Sequence, residues 1–388
     1  MLADVALASE LRALEEHSLR RVRRTVGGAQ GPEILVNGRR VLCFASNNYL
    51  GLADDERLRR AAIDALESSG TGSGASPLVS GHMAEHEALE REIAAWLGCE
   101  AALVFGSGYH ANVAVIPALA GAEDEVFSDA LNHASLIDGC RLARARVTVF
   151  PHRDLGALER ALGASRARRK LVVCDSIFSM DGDAMPLAEL VALAERHGAW
   201  TMLDEAHATG VFGASSAGLA EAEGVGERVT VRMGTLGKAL GGYGAFVAGS
   251  RDLIETLVNR ARAYVFSTAL PPSIVAAARA AIAIVRAEPE LRERLWRNAR
   301  RMHAALAAAG LDPAPLASPI LPLVAGESRA ALRVAAHAFE RGILAPAIRP
   351  PTVPAGTARL RVTPMATHDG EQIDRAAAVL VEAFRRAR

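Results

Sequence analysis

The sequence has no excess of charge and few cysteines, and both features exclude a class of protein. Lys plus Arg and Asp plus Glu each number 44 among 388 residues, so the formal net charge is zero. Because a nucleic-acid-binding protein normally has a basic excess, we expect no nucleic-acid partner. The four cysteines are far apart and form no C-x-x-C pair, which indicates buried thiols in a reducing compartment rather than a disulfide framework.

Long hydrophobic runs are also missing. No uninterrupted apolar run reaches about 18 residues, so we expect no membrane-spanning helix and no membrane partner. Acidic residues interrupt the apolar-periodic N-terminus (MLADVALASELRALEEHSLRR), whereas a signal peptide has a basic start and a smooth apolar centre. We therefore expect a cytoplasmic protein.

Lysine is the scarcest of the charged residues. Only Lys170 and Lys238 are lysines among the 44 basic residues, and the rest are arginines. Biased base composition accounts for most of this scarcity, but a lysine that remains is a candidate for chemistry that arginine cannot perform, such as Schiff-base formation. Lys170 lies in a basic cluster before an apolar run and is interpreted as a solvated charge. Lys238 lies among glycines in MGTLGKALGG, with no acid beside it, and is the candidate for amine chemistry.

Apolar runs alternate with helical stretches through the middle of the chain. This alternation predicts an α/β fold with βαβ units and a mostly parallel sheet covered on both faces. Seven runs are predicted as its strands: AALVF (101–105), EVFSD (125–129), RVTVF (146–150), KLVVCDSIF (170–178), AWTMLDEA (199–206), RVTVRMGT (228–235) and YGAFVAG (243–249).

The pattern changes after about residue 285, which predicts a second domain. A long helical stretch leads into two short strands (ILPLVAG and ARLRVT) and two further helices, as in a smaller α+β domain. The predicted division is an N-terminal helix and arm over 1–44, a large domain over 45–285 and a small C-terminal domain over 286–388. Within the arm, periodic leucines predict an amphipathic helix over the first 26 residues.

Polar residues follow several of the predicted strands at their carboxyl ends, where open α/β sheets bind ligands. A Gly-containing turn at a helix start suits a phosphate, an acid can keep a pyridine nitrogen protonated, and a lysine can form a Schiff base. Together these features specify pyridoxal 5'-phosphate (PLP), although each alone has a structural interpretation, such as a common glycine turn or a capping acid. The residues concerned are Ser107, Gly108 and Tyr109, the stretch from Asp129 to His133, Ser179, Asp204, His207, and the stretch from Thr235 to Lys238.

Three other classes of protein are weaker interpretations. A zinc enzyme could use His82 and His86 on one helix face, but no third ligand is evident and H-E-x-x-H is absent, so we expect no metal. A P-loop is excluded because GTLGKAL lacks its spacing and the Ser or Thr after lysine. A non-catalytic scaffold subunit of a PLP-dependent fold would typically lack the lysine that is present here.

The sequence resembles the α-oxoamine synthases, which are PLP-dependent enzymes of the aspartate-aminotransferase-like, or type I, fold. The resemblance covers roughly residues 40–365 in order and without a large gap, and it implies a homodimer with shared active sites. The segments that carry it are SNNYLGL, FGSGYHAN, NHASLIDG, DSIFSMDGD, LDEAHATGVFG, GTLGKALGGYGA, FSTALPP and IRPPTVPAGTARLR.

On the cofactor side, the resemblance implies a role for each matching residue. Lys238 matches the Schiff-base lysine, Asp204 the partner of the pyridine nitrogen, His207 the partner of the ring phenolate, and His133 the imidazole that stacks on the ring. Of these, Lys238, His133 and Asp204 are the expected catalytic residues. The remaining cofactor contacts are Gly108, Tyr109, Ser179, Thr235 and, across the dimer, Thr268.

On the substrate side, Arg361 matches the residue that holds the amino-acid carboxylate, and Asn47, Thr352 and His133 also line this side. Arg21 matches the N-terminal substrate arginine, although the adjacent Arg20 leaves the register open. The segment IRPPTVPAGTARLR most resembles the biotin-pathway members, which join L-alanine to a pimeloyl thioester. A sister activity with glycine or serine stays open, and so does the choice between pimeloyl-CoA and pimeloyl-acyl-carrier protein.

Overall fold

The computed structural model describes residues 2–311 and 313–387, and this part of the chain forms three β-sheets and fourteen α-helices. Met1, Asp312 and Arg388 fall inside the predicted domain ranges but outside the described residues. The strands are β1 (Val26–Gly27), β2 (Glu33–Val36), β3 (Arg39–Cys43), β4 (Ala101–Phe105), β5 (Glu125–Asp129), β6 (Arg146–Phe150), β7 (Lys170–Asp175), β8 (Trp200–Asp204), β9 (Val231–Thr235), β10 (Ala245–Gly249), β11 (Leu321–Gly326), β12 (Ile343–Leu344), β13 (Ala347–Ile348) and β14 (Ala358–Val362).

The helices vary from one turn to about five turns. They are α1 (Leu2–Glu16), α2 (Glu56–Ser69), α3 (Ala84–Leu97), α4 (Gly108–Leu119), α5 (Ala134–Leu142), α6 (Leu155–Ala164), α7 (Leu187–Arg196), α8 (Leu219–Ala222), α9 (Arg251–Arg260), α10 (Arg262–Val265), α11 (Pro272–Ala287), α12 (Pro289–Ala308), α13 (Ser328–Glu340) and α14 (Gly370–Ala387). Across the described residues, no helix combines the length and the apolar character that crossing a bilayer requires.

The chain divides into two compact units. The larger lies within residues 50–179 and 183–293, and the smaller within 1–49, 180–182 and 294–388. The three-part division predicted from the sequence, with boundaries near 44 and 285, stays a prediction.

The larger unit is built on a seven-stranded sheet in the order β4-β10-β9-β8-β7-β5-β6. Strands β9, β8, β7, β5 and β6 are parallel to one another, and β10 is antiparallel to both β4 and β9. The predicted α/β fold with a mostly parallel seven-stranded sheet is therefore confirmed, and every predicted run contains a strand. Strands β5, β9 and β10 are buried at every residue, which explains why they are read as continuous apolar runs.

The parallel strands bring several polar residues to one edge of this sheet. Strand β5 ends at Asp129, β7 at Asp175, β8 at Asp204 and β9 at Thr235. The carboxyl ends of parallel strands share an edge, so the polar strand ends predicted from the sequence lie together there.

The smaller unit contains two small sheets. Strands β1, β2, β3 and β12 form one, in which β12 joins β3 in parallel, and β11, β14 and β13 form an antiparallel second. Helix α1 is shorter than the predicted 26 residues, because it ends at Glu16 and the chain turns through Ser18 at φ 58°. The leucines of its predicted apolar face (Leu7, Leu11 and Leu14) are exposed in this chain.

Candidate active site

A cavity of about 170 Å³ opens at the carboxyl edge of the seven-stranded sheet. It collects residues that are up to 130 positions apart in the sequence, from the ends of β8 and β9 and the starts of α4 and α5. Seven of the predicted cofactor residues line it: Gly108, Tyr109, His133, Asp204, His207, Thr235 and Lys238.

Lys238 lies in the turn between β9 and β10. Its Nζ is 2.9 Å from His207 Nε2. Thr235 Oγ1 fixes the turn by accepting the Gly237 N–H at 3.1 Å and donating to the Gly244 carbonyl at 3.0 Å. Gly241 completes the turn at φ 69°, where a Cβ would approach the backbone of residues 52 and 53 to 2.5 Å. Gly241 is therefore required by close backbone packing, and together with Thr235 it fixes the turn that holds the lysine amine in the cavity.

Asp204 is the last residue of β8 and is only 3% exposed. Its Oδ2 accepts Asn112 Nδ2 at 2.8 Å and its Oδ1 accepts the Ala206 N–H at 2.9 Å, so both oxygens act as acceptors, as those of a carboxylate do. Asp175 lies directly beside it on β7. Burial, together with the Asp204 charge, raises the pKa of Asp175 well above its usual range.

His133 is the N-cap residue of α5. Its backbone N–H donates to Asp175 Oδ2 at 2.7 Å, and its Nδ1 lies 2.7 Å from Ser135 Oγ. Burial lowers the pKa of His133, and although Asp204 opposes this, the Lys238 charge adds to it. The ring is therefore neutral near pH 7 and forms one wall of the cavity.

The start of α4 supplies the phosphate side of the predicted site. Ser107 caps the helix by accepting the His110 N–H at 3.1 Å, and Gly108 and Tyr109 are its first residues. The first N–H groups of a helix have no carbonyl partner within it, and they form a positive end that suits an anion.

Ser179 and Thr268 lie in the larger unit but do not line this cavity. Thr268 lines a separate cavity with Tyr264, His86 and Leu270. Ser179 follows β7 in the loop closed by the Ile177–Ala184 bridge. Within one chain, these two predicted cofactor residues are thus apart from the other seven.

Apart from His133, which lines the cavity of the larger unit, the predicted substrate residues lie in the smaller unit, where they form two pairs. Arg361 on β14 is 5% exposed; its Nη1 donates to Asn47 Oδ1 at 2.9 Å and its Nη2 to Tyr49 Oη at 3.1 Å. Arg21 Nη2 donates to Thr352 Oγ1 at 3.2 Å, whereas Arg20 pairs with Glu15 at 2.6 Å. The two adjacent arginines that the sequence could not separate therefore have different surroundings.

The histidines considered for zinc have other partners. His86 Nδ1 accepts the Met83 N–H at 3.2 Å and Nε2 lies 2.9 Å from the Leu270 carbonyl, so both ring nitrogens are engaged. His82 precedes α3 rather than sharing its face, and it lies 2.9 Å from Glu90 Oε2. His82, Glu87 and Glu90 bring one ligand atom each within 4.8 Å of one another, a grouping that is common among surface carboxylates without an ion.

Sequence reasoning assigned no role to four residues of these sites: Asn112, Ser135, Asp175 and Tyr49. Asn112 had a detectable signal, because it is a polar residue within an otherwise apolar helix. Asp175 also had one, because it ends a strand next to Asp204. Ser135 and Tyr49 lie within the segments that carry the resemblance, but nothing in their spacing predicts their partners.

Comparisons with known proteins identify the family. The chain matches the family "Aminotransferase class I and II" over residues 39–380. It is 56% identical over 368 residues to an 8-amino-7-oxononanoate synthase of Anaeromyxobacter dehalogenans strain 2CP-1, covering 95% of this chain and 92% of the relative.

Two solved structures share the fold of this chain. A serine palmitoyltransferase variant from S. paucimobilis, with PLP and myriocin bound, superposes with a TM-score of 0.94 at 32% identity, covering 98% of this chain and 97% of that one. An 8-amino-7-oxononanoate synthase from Francisella tularensis gives a TM-score of 0.77 at 26% identity over 89% of this chain and 98% of that one.

The cavity fits PLP on its own chemistry. It combines a lysine amine, a buried carboxylate for the pyridine nitrogen and a helix N-terminus for the phosphate. With the identity to curated relatives, the fold and these residues lead to one assignment: the chain belongs to the class I and II aminotransferase family of PLP-dependent enzymes and, within it, to the 8-amino-7-oxononanoate synthases.

Proposed function

We propose that this protein condenses L-alanine with a pimeloyl thioester to give 8-amino-7-oxononanoate, CO2 and a free thiol, a step of biotin biosynthesis. The alanine Cα loses its proton and bonds to the acyl carbon, the C–S bond breaks and the thiol sulfur takes up a proton, the alanine carboxylate leaves as CO2, and Cα regains a proton. The observation that carries the proposal is that Lys238, Asp204 and His133 line one cavity, in a chain whose relatives are named 8-amino-7-oxononanoate synthase.

Bound PLP supplies an electron sink that stabilises negative charge at the alanine Cα. Lys238 is the amine that would hold the cofactor, and as a free amine it would take the Cα proton. Its neighbour His207, 2.9 Å away, limits the directions that the amine can face. Removing a proton from Cα requires a neutral amine, and the fixed turn around Lys238 keeps that amine within the cavity.

Asp204 keeps a proton on the pyridine nitrogen, because its carboxylate is buried and oriented by Asn112 and Ala206. His133 provides the wall on which the ring stacks. His207 and Thr235 contact the cofactor ring and its phosphate side, and Gly108 and Tyr109 offer backbone N–H groups to the phosphate.

Arg361 holds the alanine carboxylate through two parallel hydrogen bonds. Asn47 and Tyr49 fix the plane of its guanidinium group, which sets the direction from which a carboxylate can approach. Orienting the carboxylate decides which bond to Cα lies perpendicular to the cofactor ring. Arg21 and Thr352 belong to the acyl side of the substrate site.

The active form is a cytoplasmic homodimer in which Thr268 reaches the cofactor phosphate across the dimer, and Ser179 is a further cofactor contact. Thr268 lines a different cavity of its own chain, as a residue that serves the partner's cofactor would. The thioester is carried by CoA or by acyl-carrier protein, and the arginines of the N-terminal arm suit the phosphates of either.

The test is thiol release from pimeloyl-CoA by PLP-loaded protein, with L-alanine, glycine and L-serine compared. We expect release with alanine, loss of release in Lys238→Ala, and retention in Lys170→Arg, which alters the other lysine of the chain. Release mainly with serine would indicate a sister activity instead. Serine is the first alternative to measure, because the chain superposes on a serine palmitoyltransferase with a TM-score of 0.94. No release with any of the three would refute the proposal.

A further inference from the structure

A chain of hydrogen bonds joins the Asp204 carboxylate to the His133 ring through two buried residues. Asn112 is 0% exposed and its Nδ2 lies 2.8 Å from Asp204 Oδ2 and 2.9 Å from Ser135 Oγ. Ser135, also buried, places its Oγ 2.7 Å from His133 Nδ1, and its backbone N–H donates to the same Nδ1 at 3.3 Å.

The direction of each hydrogen bond follows from the chemistry of its partners. A carboxylate only accepts, so the atom of Asn112 beside Asp204 is the amide nitrogen, and its second hydrogen points to Ser135 Oγ. The Ser135 hydroxyl accepts that hydrogen and is left with its own to donate to His133 Nδ1. The backbone N–H of Ser135 also points to Nδ1 at 3.3 Å; this weaker hydrogen bond favours an Nδ1 without a hydrogen but leaves the shorter bond from the hydroxyl as the main determinant.

We propose that Asn112 and Ser135 are positioning residues that fix His133 in the tautomer with its hydrogen on Nε2. The orientation of Asn112 leaves its buried Oδ1 without a hydrogen-bond partner among the described residues. An unsatisfied buried carbonyl is unfavourable. Because Asn112 nevertheless keeps this orientation, the two hydrogen bonds that its Nδ2 donates must determine how its side chain is oriented.

This tautomer determines what His133 can do in the cavity. With Nδ1 occupied by two donors and Nε2 protonated, the ring has no lone pair to take a proton from a substrate. It can donate one hydrogen bond from Nε2 to an oxygen, such as a carboxylate or acyl oxygen. The consequence for catalysis rests on the proposed function and leaves Lys238 as the base, whereas the tautomer itself does not depend on it.

The experiment is nuclear magnetic resonance of the full chain, labelled with ¹⁵N in histidine and measured with and without PLP. Long-range ¹H–¹⁵N correlations distinguish protonated from non-protonated ring nitrogens, and His133→Gln assigns the signals. We expect Nδ1 of His133 to appear non-protonated and Nε2 protonated at a pH where the ring is neutral.

Variants separate this role from helix capping. Ser135→Ala removes the hydroxyl donor but keeps the backbone N–H, so both nitrogen signals should shift toward a tautomer average, and Ser135→Thr should restore the original pattern. Asn112→Leu should produce a shift in the same direction. Ser250→Ala is the matched control, since Ser250 caps α9 by accepting the Leu253 N–H and lies outside the cavity.

A hydrogen on Nδ1 in the unmodified protein would overturn the proposal, and that measurement stands even if a variant fails to fold. Signals that do not move in Ser135→Ala would overturn it as well. The expected pattern without thiol release from pimeloyl-CoA would refute the proposed function alone. Thiol release with Nδ1 protonated would refute the tautomer alone.

Discussion

His152 and two carboxylates form an ionic cluster in the larger unit that should make stability depend on pH in the alkaline range. His152 Nδ1 lies 3.0 Å from Asp129 Oδ1 and Nε2 lies 2.9 Å from Asp183 Oδ2. Both ring nitrogens therefore donate to carboxylates, which only a protonated imidazole can do. Burial opposes the charge, but the hydrogen bonds to Asp129 and Asp183 outweigh it and raise the pKa of His152 to about 9.

The sign and size of the effect follow from linkage. The folded-state pKa of His152 lies above the unfolded value of about 6.5, so its stabilisation is fully present below about pH 6.5 and is lost as pH rises through about 9. A shift of roughly 2.5 units corresponds to at most about 3.4 kcal/mol. Because the side chain is 24% exposed, solvent screening reduces this, and we expect about 2 kcal/mol. The lowered pKa of Asp183 reports the same interaction and is not added to it.

The perturbation is His152→Gln, which removes the titrating group but keeps an amide donor. We would measure urea denaturation of PLP-loaded protein at about pH 6 and about pH 10, for the variant and the unmodified chain. Between these pH values the unmodified chain should lose about 2 kcal/mol more of its unfolding free energy than the variant does. His303→Gln is the control, since His303 is bonded to the Ala314 carbonyl and has no carboxylate partner among the described residues; this variant should keep the original pH dependence.

Equal pH dependence in the variant and the unmodified chain would refute this reasoning. The comparison uses differences between matched proteins, because a chain with two units and a cofactor need not unfold in one step. A direct titration of the His152 ring by nuclear magnetic resonance gives an independent check. A midpoint near the ordinary value of about 6.5 would show that the two carboxylates do not hold the proton.

Three further predictions concern the active site. Lys238→Ala should prevent borohydride from fixing PLP to the chain, and persistence of covalent cofactor would assign that role to another residue. Arg361→Lys should raise the KM for alanine by roughly 10- to 100-fold, because about 1.5–3 kcal/mol of charged hydrogen bonding is lost. The affinity for PLP should not change. Equal weakening of alanine binding and PLP binding would contradict the role of Arg361. Asp175→Asn should keep most activity in a thiol-release assay, because burial raises the pKa of Asp175 and so favours its neutral form, and because Asn still accepts the His133 N–H. Asp175→Leu should lose activity, and a strong loss in both variants would mean that the charged form matters.

The seven-stranded sheet could be predicted from sequence because its strands are buried on both faces. In a chain of this composition, a continuous apolar run such as AFVAG of β10 has few interpretations other than a buried strand, and turn residues separate these runs from one another. Lys238 was also recognisable, because it is one of two lysines and lies between glycines. Gly241 is explained by contacts at 2.5 Å with the backbone of residues 52 and 53, which spacing alone does not reveal.

The smaller unit was less predictable, since its elements are short and depend on one another. Strands β12 and β13 have two residues each, which is below the length at which periodicity carries information. Helix α1 was predicted too long because the basic residues after Glu16 continue a helix-compatible pattern, whereas Ser18 turns the chain at a positive φ. Residue type alone gave no reason to expect a left-handed serine there.

The identity of hydrogen-bond partners is the part of the site that sequence could not supply. A buried Asn in the apolar helix α4 must find polar partners, so its importance was predictable, yet the partner Asp204 lies 92 positions away along the chain. The contact of Asn112 with Asp204 depends on the packing of α4. The position of His133 beside them depends on the register of β7 against β8, which places Asp175, the acceptor of the His133 N–H, next to Asp204. Neither is encoded in periodicity. Once packing brings Asn112 to a carboxylate, the direction of every later bond to Ser135 and His133 follows from elementary donor and acceptor chemistry. A tautomer in the active site is thus determined by a strand register and a helix packing, through residues that do not themselves react.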